Sequence, residues 1–247
     1  MPSIQRAVLA ALALALAGVA ASATASPATC QAASGATVPT LVELYTSEGC
    51  SSCPPADRWV STLAGRSDVI ALAYHVDYWD GPGWRDRFAQ AAFTRRQAAS
   101  QRTSGARFSY TPQVVVDGRD TPERPFPSLR SPVERTAPQV TLTLARGAKA
   151  LELSVSTSAM APARLDGFVA VVDDGLSSRV AGGENRGATL HHDAVVRELL
   201  SWSATRSSQA FEFTSTTVPE SGAHRHWVAV ALDDAGRPVQ AVSLRCE

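Results

Sequence analysis

The sequence predicts an α/β domain followed by a smaller all-β domain with the pattern of a β-sandwich. Between residues 40 and 116, apolar runs typical of strands alternate with segments whose apolar residues recur at helical spacing. Residues 119–138 contain five prolines, which no regular element can absorb. Beyond them, short segments rich in Val, Leu and Thr are separated by turn residues, as in antiparallel sheets. We therefore expect a domain boundary near residue 137.

The first domain, residues 26–137, is predicted to run strand, helix, strand, helix, strand. Val69–Val76 is an unbroken apolar run, typical of a strand covered on both faces, which implies parallel packing. Gly65 is a natural end for the helix before it. The predicted elements cover residues 40–46, 57–64, 69–76, 85–101 and 113–116.

The second domain, residues 138–247, is predicted to consist of short strands. Asp174-Gly175 is a turn signal between two of them. Residues 191–200 fit either a helix or a strand, and we favour a strand. The other predicted strands cover residues 140–144, 151–157, 167–172, 211–218, 227–232 and 239–244.

The composition excludes several classes of protein. The 247 residues are 45% hydrophobic and 19% charged, which suits a chain with a buried core rather than a disordered one. Lys and Arg together number 23, as do Asp and Glu, so the formal net charge is +0 and no nucleic acid partner is expected. Four cysteines are too few for a disulfide-framework miniprotein.

The first 25 residues have the pattern of a signal peptide. Arg6 precedes the uncharged run Ala7–Ala20, and small-x-small sites predict cleavage after Ala25. An uncleaved membrane anchor is the alternative, but the run is shorter than the ~20 residues needed to span a bilayer. We expect a periplasmic or secreted mature protein, without stable membrane insertion, in a compartment where disulfides persist.

The motif Cys50-Ser51-Ser52-Cys53 directly follows a predicted strand and opens a predicted helix. The positive end of a helix dipole favours an anion, so we expect Cys50 to be an accessible, stabilised thiolate. Cys53, one helical turn on, is placed to displace a partner from Cys50. The pattern predicts thiol-disulfide exchange on protein thiols or disulfides, with an unidentified redox partner and no organic cofactor.

Other interpretations of the cysteine pair stay open at this point. Zinc needs two further ligands, and no ligand-spaced pair supplies them, so no metal site is predicted. A static disulfide between Cys50 and Cys53 would form in any exported protein. Soft thiolates also suit copper(I), with help from His75. The main alternative is therefore a non-enzymatic copper(I)-binding or partner-binding protein.

A proline stands directly before the third predicted strand. If the Thr111-Pro112 bond is cis, Thr111 would present its backbone beside the cysteine pair, where an extended substrate peptide could bind. An ordinary trans proline at a strand start is the alternative. Trp79 and Trp84 could line the same peptide groove or cap the core. We include Pro112 among the catalytic candidates and the other three residues among the substrate-binding candidates.

Several segments together carry a family resemblance. They are Glu43–Asp57, Leu72–Asp80 with Gly83-Trp84, Tyr110–Val116, Gly183–Asn185 with Gly187, and Val195–Arg197. They resemble the exported thioredoxin-like family catalogued as domain of unknown function 1223. The resemblance implies a thioredoxin-like fold for the first domain and a thiol site, without implying a particular activity. Thioredoxins usually carry an aromatic residue at the position of Gly49 and Gly-Pro at Ser51-Ser52, so no redox potential is implied.

Thioredoxin-like reductases also keep a buried acid on the strand before the motif, and Glu43 would match it if this loop is one residue longer. We therefore expect Glu43 to relay a proton to or from Cys53, with a satisfied carboxylate as the alternative.

Four other positions complete the candidates. Cys30 and Cys246 are expected to form a structural disulfide, the alternative being free thiols or a bond to another chain. His75 and Asp77 alternate at a strand end and could act together in metal binding or proton transfer, although a hydrogen-bonded histidine is the favoured interpretation. The remaining histidines are expected at the surface.

Overall fold

The structure is a computed structural model that describes residues 30–122, 126, 129, 139–147 and 149–246. The predicted signal peptide and the predicted boundary at residue 137 lie outside these residues. Within the described part of the chain, no helix is both long enough and apolar enough to cross a membrane.

Strands dominate the described residues, which form fourteen strands and two α-helices. The helices are α1 (Pro54–Ser61) and α2 (Ala91–Ser104), and a 3₁₀ turn covers Asp77–Trp79. The strands are β1 (Cys30–Ala33), β2 (Thr40–Thr46), β3 (Val69–His75), β4 (Gln113–Val116), β5 (Arg119–Asp120), β6 (Val140–Arg146), β7 (Leu151–Thr157), β8 (Arg164–Asp174), β9 (Leu176–Arg179), β10 (Thr189–His192), β11 (Val195–Thr205), β12 (Gln209–Phe213), β13 (His224–Leu232) and β14 (Pro238–Arg245).

One large sheet contains strands from both halves of the chain. Its order is β14-β13-β8-β11-β3-β2-β4-β5, and a second sheet has the order β1-β6-β7-β12. Strands β2 and β3 pair in parallel from Thr40 opposite Val69 to Thr46 opposite His75. The halves meet where β11 pairs with β3, at Val195 opposite Ala73. Strands β9 and β10, which lie between β8 and β11 in the sequence, form a separate two-stranded antiparallel sheet.

The predicted fold class, an α/β thioredoxin-like domain followed by a smaller all-β domain, is therefore wrong. Of the described residues, 46% lie in strands and 12% in helices. Strands of the first and second halves also share one eight-stranded sheet instead of forming separate sheets. The physical reason is that apolar periodicity identifies a strand without specifying its neighbour. The pairing of β11 with β3 joins residues more than 120 positions apart.

Individual elements match their predictions more closely. Strands β2 and β4 have the predicted bounds, and β3 ends one residue earlier than predicted. Helix α1 begins at Pro54 and ends at Ser61, three residues earlier at each end than the predicted 57–64. Proline is tolerated in the first helical turn, where its missing N–H leaves no bond unmade. Helix α2 begins six residues later than predicted. The Asp86 carboxylate accepts the N–H of Phe88 over 2.9 Å, so this preceding segment follows a non-helical path.

Successive side chains of β8 point to opposite faces of the large sheet and so contribute to two separate cores. Phe168, Ala170 and Val172 face a core that includes apolar residues of both helices. Val169 and Val171 face the other core, which the four-stranded sheet closes. This period of two is what a strand buried on both faces requires.

A disulfide joins the two sheets. Cys30 lies at the start of β1 in the four-stranded sheet, and it is bonded to Cys246, which directly follows β14. The bond spans 216 residues, and the loop-entropy relation for a closure of this length gives about 5 kcal/mol of stabilisation.

Candidate functional site

The candidate site is the loop between β2 and α1, which contains the cysteine pair. The N–H of Cys50 donates to the carbonyl of Ser47 over 3.2 Å, and the N–H of Cys53 donates to the carbonyl of Cys50 over 3.1 Å. These tight turns bring the two cysteines together, and they form a disulfide. Cys53 is the N-cap residue of α1 and has helical backbone angles. The structure thus places the motif between a strand and a helix, as its sequence position predicts.

The two sulfur-bearing residues are buried, with exposed fractions of 1% for Cys50 and 0% for Cys53. The expectation that Cys50 is accessible is therefore wrong. Sequence reasoning failed here because the groups that cover the loop lie about 130 residues farther along the chain.

The cover is the segment Gly182–Gly187, which we call the capping loop. The N–H of Glu184 donates to the carbonyl of Gly49 over 3.0 Å. The Glu184 carboxylate in turn accepts hydrogen bonds from the N–H and the hydroxyl of Ser51, at 2.9 and 2.7 Å. Asn185 donates from Nδ2 to the carbonyls of Glu48 and Cys50, at 3.0 and 2.8 Å. Two residues of the capping loop, Glu184 and Asn185, thus hold the cysteine loop mainly by its backbone.

Glycine is required where the two loops touch. Gly183 has a φ of +69°, and a Cβ there would lie 2.7 Å from Cα of Gly49. A Cβ on Gly182 would lie 2.5 Å from Cγ of Trp84. Gly49 is itself crowded, because a Cβ there would lie 3.1 Å from Cβ of Trp79. A larger side chain at position 49 would therefore collide with Trp79 and Trp84.

Two of the predicted substrate-binding residues lie against the same loop, and the third contacts one of them. Trp79 and Trp84 are half-buried against Gly49. Trp79 donates from Nε1 to the hydroxyl of Thr111 over 2.7 Å. The Thr111-Pro112 peptide bond is cis, and Pro112 is buried. Trp79 thus connects the cysteine loop to the segment that precedes β4.

Glu43 is engaged elsewhere. Its carboxylate forms an ion pair with Arg96 of α2, with Oε1 and Nη2 2.6 Å apart. The Arg96 guanidinium also lies over the ring of Phe168, 4.3 Å from its centroid. Asp77 likewise faces α2, where its carboxylate accepts the Thr94 hydroxyl over 2.5 Å. The structure therefore favours a satisfied carboxylate at Glu43 and does not pair Asp77 with His75.

Next to the cysteine loop lies a cluster of which sequence reasoning identified only His75. We call it the buried polar cluster, and all of its members are at most 7% exposed. It comprises Glu48, Asp57, His75, Asp86 and His192. His192 was expected at the surface, so that expectation is wrong; its strand partner β9 and helix α1 cover it.

Charge pairing organises most of this cluster. Nδ1 of His75 lies 2.7 Å from Oδ2 of Asp86, which also accepts the N–H of Glu48 over 2.8 Å. Burial alone would raise the pKa of Asp86, but His75 outweighs it and holds that pKa at about 2. Burial alone would lower the pKa of His75, but Asp86 raises it overall. Nε2 of His192 lies 3.3 Å from Oε1 of Glu48, which also accepts the hydroxyl of Ser178.

The geometry indicates no metal centre within the described ranges, where no three His, Cys, Asp or Glu side chains are placed to hold an ion. The sulfur of Cys50 does lie just below the surface, since the hydroxyl of the exposed Ser52 is 3.4 Å from it. What the arrangement offers chemically is a covered disulfide beside a set of buried acids and imidazoles.

Comparison with known proteins gives one family and a shared fold. A family model described as "Protein of unknown function (DUF1223)" matches residues 41–233, well over half of the chain. Among solved structures, protein AGR_C_4864 from Agrobacterium tumefaciens is similar, with a TM-score of 0.62 and 23% identity, covering 85% of this chain and 95% of that one. HBP35 of Porphyromonas gingivalis gives a TM-score of 0.57 and 16% identity, covering 86% and 76%. No curated protein matches. At these identities, the likeness to the two solved structures shows only that this chain shares their fold.

Proposed function

The chain belongs to the DUF1223 family of proteins of unknown function, and we propose that it is an exported protein that carries out thiol-disulfide exchange on protein substrates through Cys50 and Cys53. One observation carries the proposal: this disulfide lies between a strand and the start of a helix and closes so short a loop that it contributes far less to stability than the Cys30–Cys246 bond does, which favours reactivity as the reason for its presence.

The two disulfides differ in the length of the loop that each closes. Cys50 and Cys53 are three residues apart, whereas Cys30 and Cys246 are 216 apart. Loop-closure entropy gives about 2 kcal/mol for the short loop and about 5 kcal/mol for the long one. The turn that holds the short loop is also hydrogen-bonded through its backbone, independently of the sulfur atoms. The long-range disulfide is therefore the structural one.

The cover over the pair favours controlled access rather than permanent burial. Gly182, Gly183 and Glu184 bring no large apolar side chain onto the cysteine loop, and Glu184 is exposed. A loop held by hydrogen bonds near water opens at lower cost than one held by buried apolar side chains. A substrate peptide that displaces the capping loop would meet the backbone of Gly49 and Ser51, to which Glu184 is now bonded.

The proposed reaction exchanges one disulfide for another. A substrate thiolate attacks Sγ of Cys50, the Cys50–Cys53 bond breaks as the mixed disulfide forms, and its electron pair leaves on Sγ of Cys53. A second substrate thiolate then attacks the mixed disulfide at the substrate sulfur and releases Cys50 as a thiolate. The substrate leaves oxidised and the pair reduced; the reverse sequence reduces a substrate disulfide. An unidentified redox partner resets the pair in either direction.

Export is the part of the proposal that concerns location. Two disulfides fit a periplasmic or secreted protein because the cytosol keeps thiols reduced. The signal-peptide pattern of residues 1–25 points the same way.

The experiment is a trapping assay with a disulfide-bonded test protein in a glutathione buffer. We expect the Cys53→Ala variant to accumulate a mixed disulfide through Cys50, while the wild type turns over and the Cys50→Ser variant does neither. The matched control is the Cys30→Ser/Cys246→Ser double variant, which should keep the activity. A wild-type protein that does not accelerate exchange, together with a Cys53→Ala variant that traps nothing, would overturn the proposal.

A further inference from the structure

The feature that leads furthest is a carboxyl group one helical turn beyond the cysteine pair. Cys53 and Asp57 are four residues apart, and the N–H of Asp57 donates to the carbonyl of Cys53 over 3.1 Å. Residues with this spacing lie on the same helix face, with Cβ atoms roughly 5–6 Å apart. Both residues are buried, so that shared face points inward beneath the cysteine loop.

Asp57 differs from the other buried acids near the site. Glu43 is paired with Arg96, and Asp86 is paired with His75. In the part of the chain that the structure describes, Oδ1 of Asp57 is fully buried and has no hydrogen-bond partner. A buried carboxyl oxygen that no nearby protein group satisfies well is poorly stabilised when charged, which favours the protonated form of Asp57.

The surroundings of Asp57 suit a group that exchanges a proton. Burial raises the pKa of its carboxyl, because the charged form is poorly solvated, and the His192 and His75 imidazoles partly oppose this. Thr46 at the end of β2 also opposes the rise, whereas Asp86 adds to it. Glu48 is the remaining charged member of the buried polar cluster.

A cleft leads from the protein surface to this carboxyl. Its volume is about 110 Å³, and it is lined by Asp57 and His192 together with the exposed residues Arg58, Thr189 and His191. A polar site needs only about 10–15 Å³ to hold a water molecule, so the cleft is large enough to carry protons between solvent and Asp57. None of its lining residues belongs to the capping loop.

We propose that Asp57 donates a proton to the Cys53 thiolate released when the disulfide opens, accepts it again when the disulfide closes, and exchanges it with solvent through the cleft beside His192. This rests on the proposed function. When a thiolate attacks Cys50, the S–S electron pair goes to Sγ of Cys53, the carboxylic acid of Asp57 gives up its proton to form the Cys53 thiol, and the resulting carboxylate is reprotonated from water. A thiolate left charged in this apolar interior would instead favour re-closure of the disulfide.

The test measures, as a function of pH, the rate at which a small thiol reduces the Cys50–Cys53 disulfide. Each rate is divided by the concentration of the thiolate form of that reductant, so that its own titration does not enter the profile. In the wild type we expect the rate to fall as pH rises through the titration of Asp57. In Asp57→Asn the rate at low pH should be roughly 100-fold lower, as for loss of a general acid, and should no longer depend on pH. Asp57→Glu should restore the pH dependence, and Asp77→Asn is the matched control that should behave as the wild type does.

A second measurement needs no variant and so does not depend on whether Asp57→Asn folds. Carbon-13 NMR of the labelled Asp57 carboxyl in wild-type protein should show different titration midpoints in the oxidised and reduced states. Equal midpoints in both states, or an Asp57→Asn variant that keeps the wild-type pH profile, would overturn the inference while leaving the exchange function standing. A wild type that shows no exchange at all would instead refute the proposed function.

Discussion

Removing the amide of Asn185 should uncover the disulfide. Asn185→Ala deletes two hydrogen bonds, to the carbonyls of Glu48 and Cys50 at 3.0 and 2.8 Å. Each neutral hydrogen bond contributes a net 0.5–1.5 kcal/mol or so, which gives about 1–3 kcal/mol for the pair. If the loop opens and closes rapidly compared with the reaction of the sulfur, that free energy raises the open population roughly 5- to 150-fold.

The assay is the rate at which a phosphine reduces the Cys50–Cys53 disulfide, followed by peptide-resolved mass spectrometry so that the Cys30–Cys246 bond is counted separately. Arg186→Ala is the matched control, because Arg186 lies in the same loop and is exposed. We expect reduction of the short-loop disulfide to accelerate in Asn185→Ala alone. Equal rates in Asn185→Ala, Arg186→Ala and the wild type would show that the capping loop does not govern access.

Three further predictions test other parts of the structure. Gly183→Ala should destabilise the fold by about 1–3 kcal/mol in urea unfolding and speed disulfide reduction, and it should do so more than Gly187→Ala, because both glycines have positive φ but only position 183 meets a neighbouring backbone. Cys30→Ser/Cys246→Ser should lower the free energy of unfolding by about 5 kcal/mol; a loss below 1 kcal/mol would contradict the structural role. The pKa of Asp86 is lowered to about 2 from its ordinary value of 3.8, so its contribution to stability is full above pH 4 and is lost as pH falls toward 2. The wild type should therefore lose about 2 kcal/mol more across that interval than Asp86→Asn does, and parallel acid-unfolding curves would count against the ion pair.

The strand β3 shows how far local pattern can predict this fold. The apolar run from Val69 predicted a strand covered on both faces and packed in parallel, and β3 is buried and pairs in parallel with β2. Its other neighbour is β11, which begins at Val195. No local property of either segment encodes that pairing, because many strands with the same apolar pattern could fill the place. The fold class is wrong because this pairing, which merges strands of both halves into one sheet, was missed, and because strands far outweigh helices in the described residues.

The same limit applies to the site. The Cys-x-x-Cys motif was predicted to lie between a strand and the start of a helix, and it lies there in the structure. Their burial depends on Glu184 and Asn185, whose side chains bond to backbone N–H and carbonyl groups of the loop. Every sequence possesses such backbone groups, so nothing local to the motif announces these partners. The role assigned to Glu43 depended on a loop length, and the structure places Arg96 against that carboxylate. Asp57 left a signal that could have been found, since an acid four residues after Cys53 shares its helix face.

The distance along the chain between the cysteine pair and its cover sets an order of events during synthesis. Ribosomes add about 5–20 residues per second, so the capping loop emerges roughly 6–26 s after Cys53 does. Until the capping loop has emerged and folded, the hydrogen bonds that hold it over the cysteine pair do not exist, so a partner can reach the pair without displacing anything. Once these bonds have formed, a partner must first displace the capping loop.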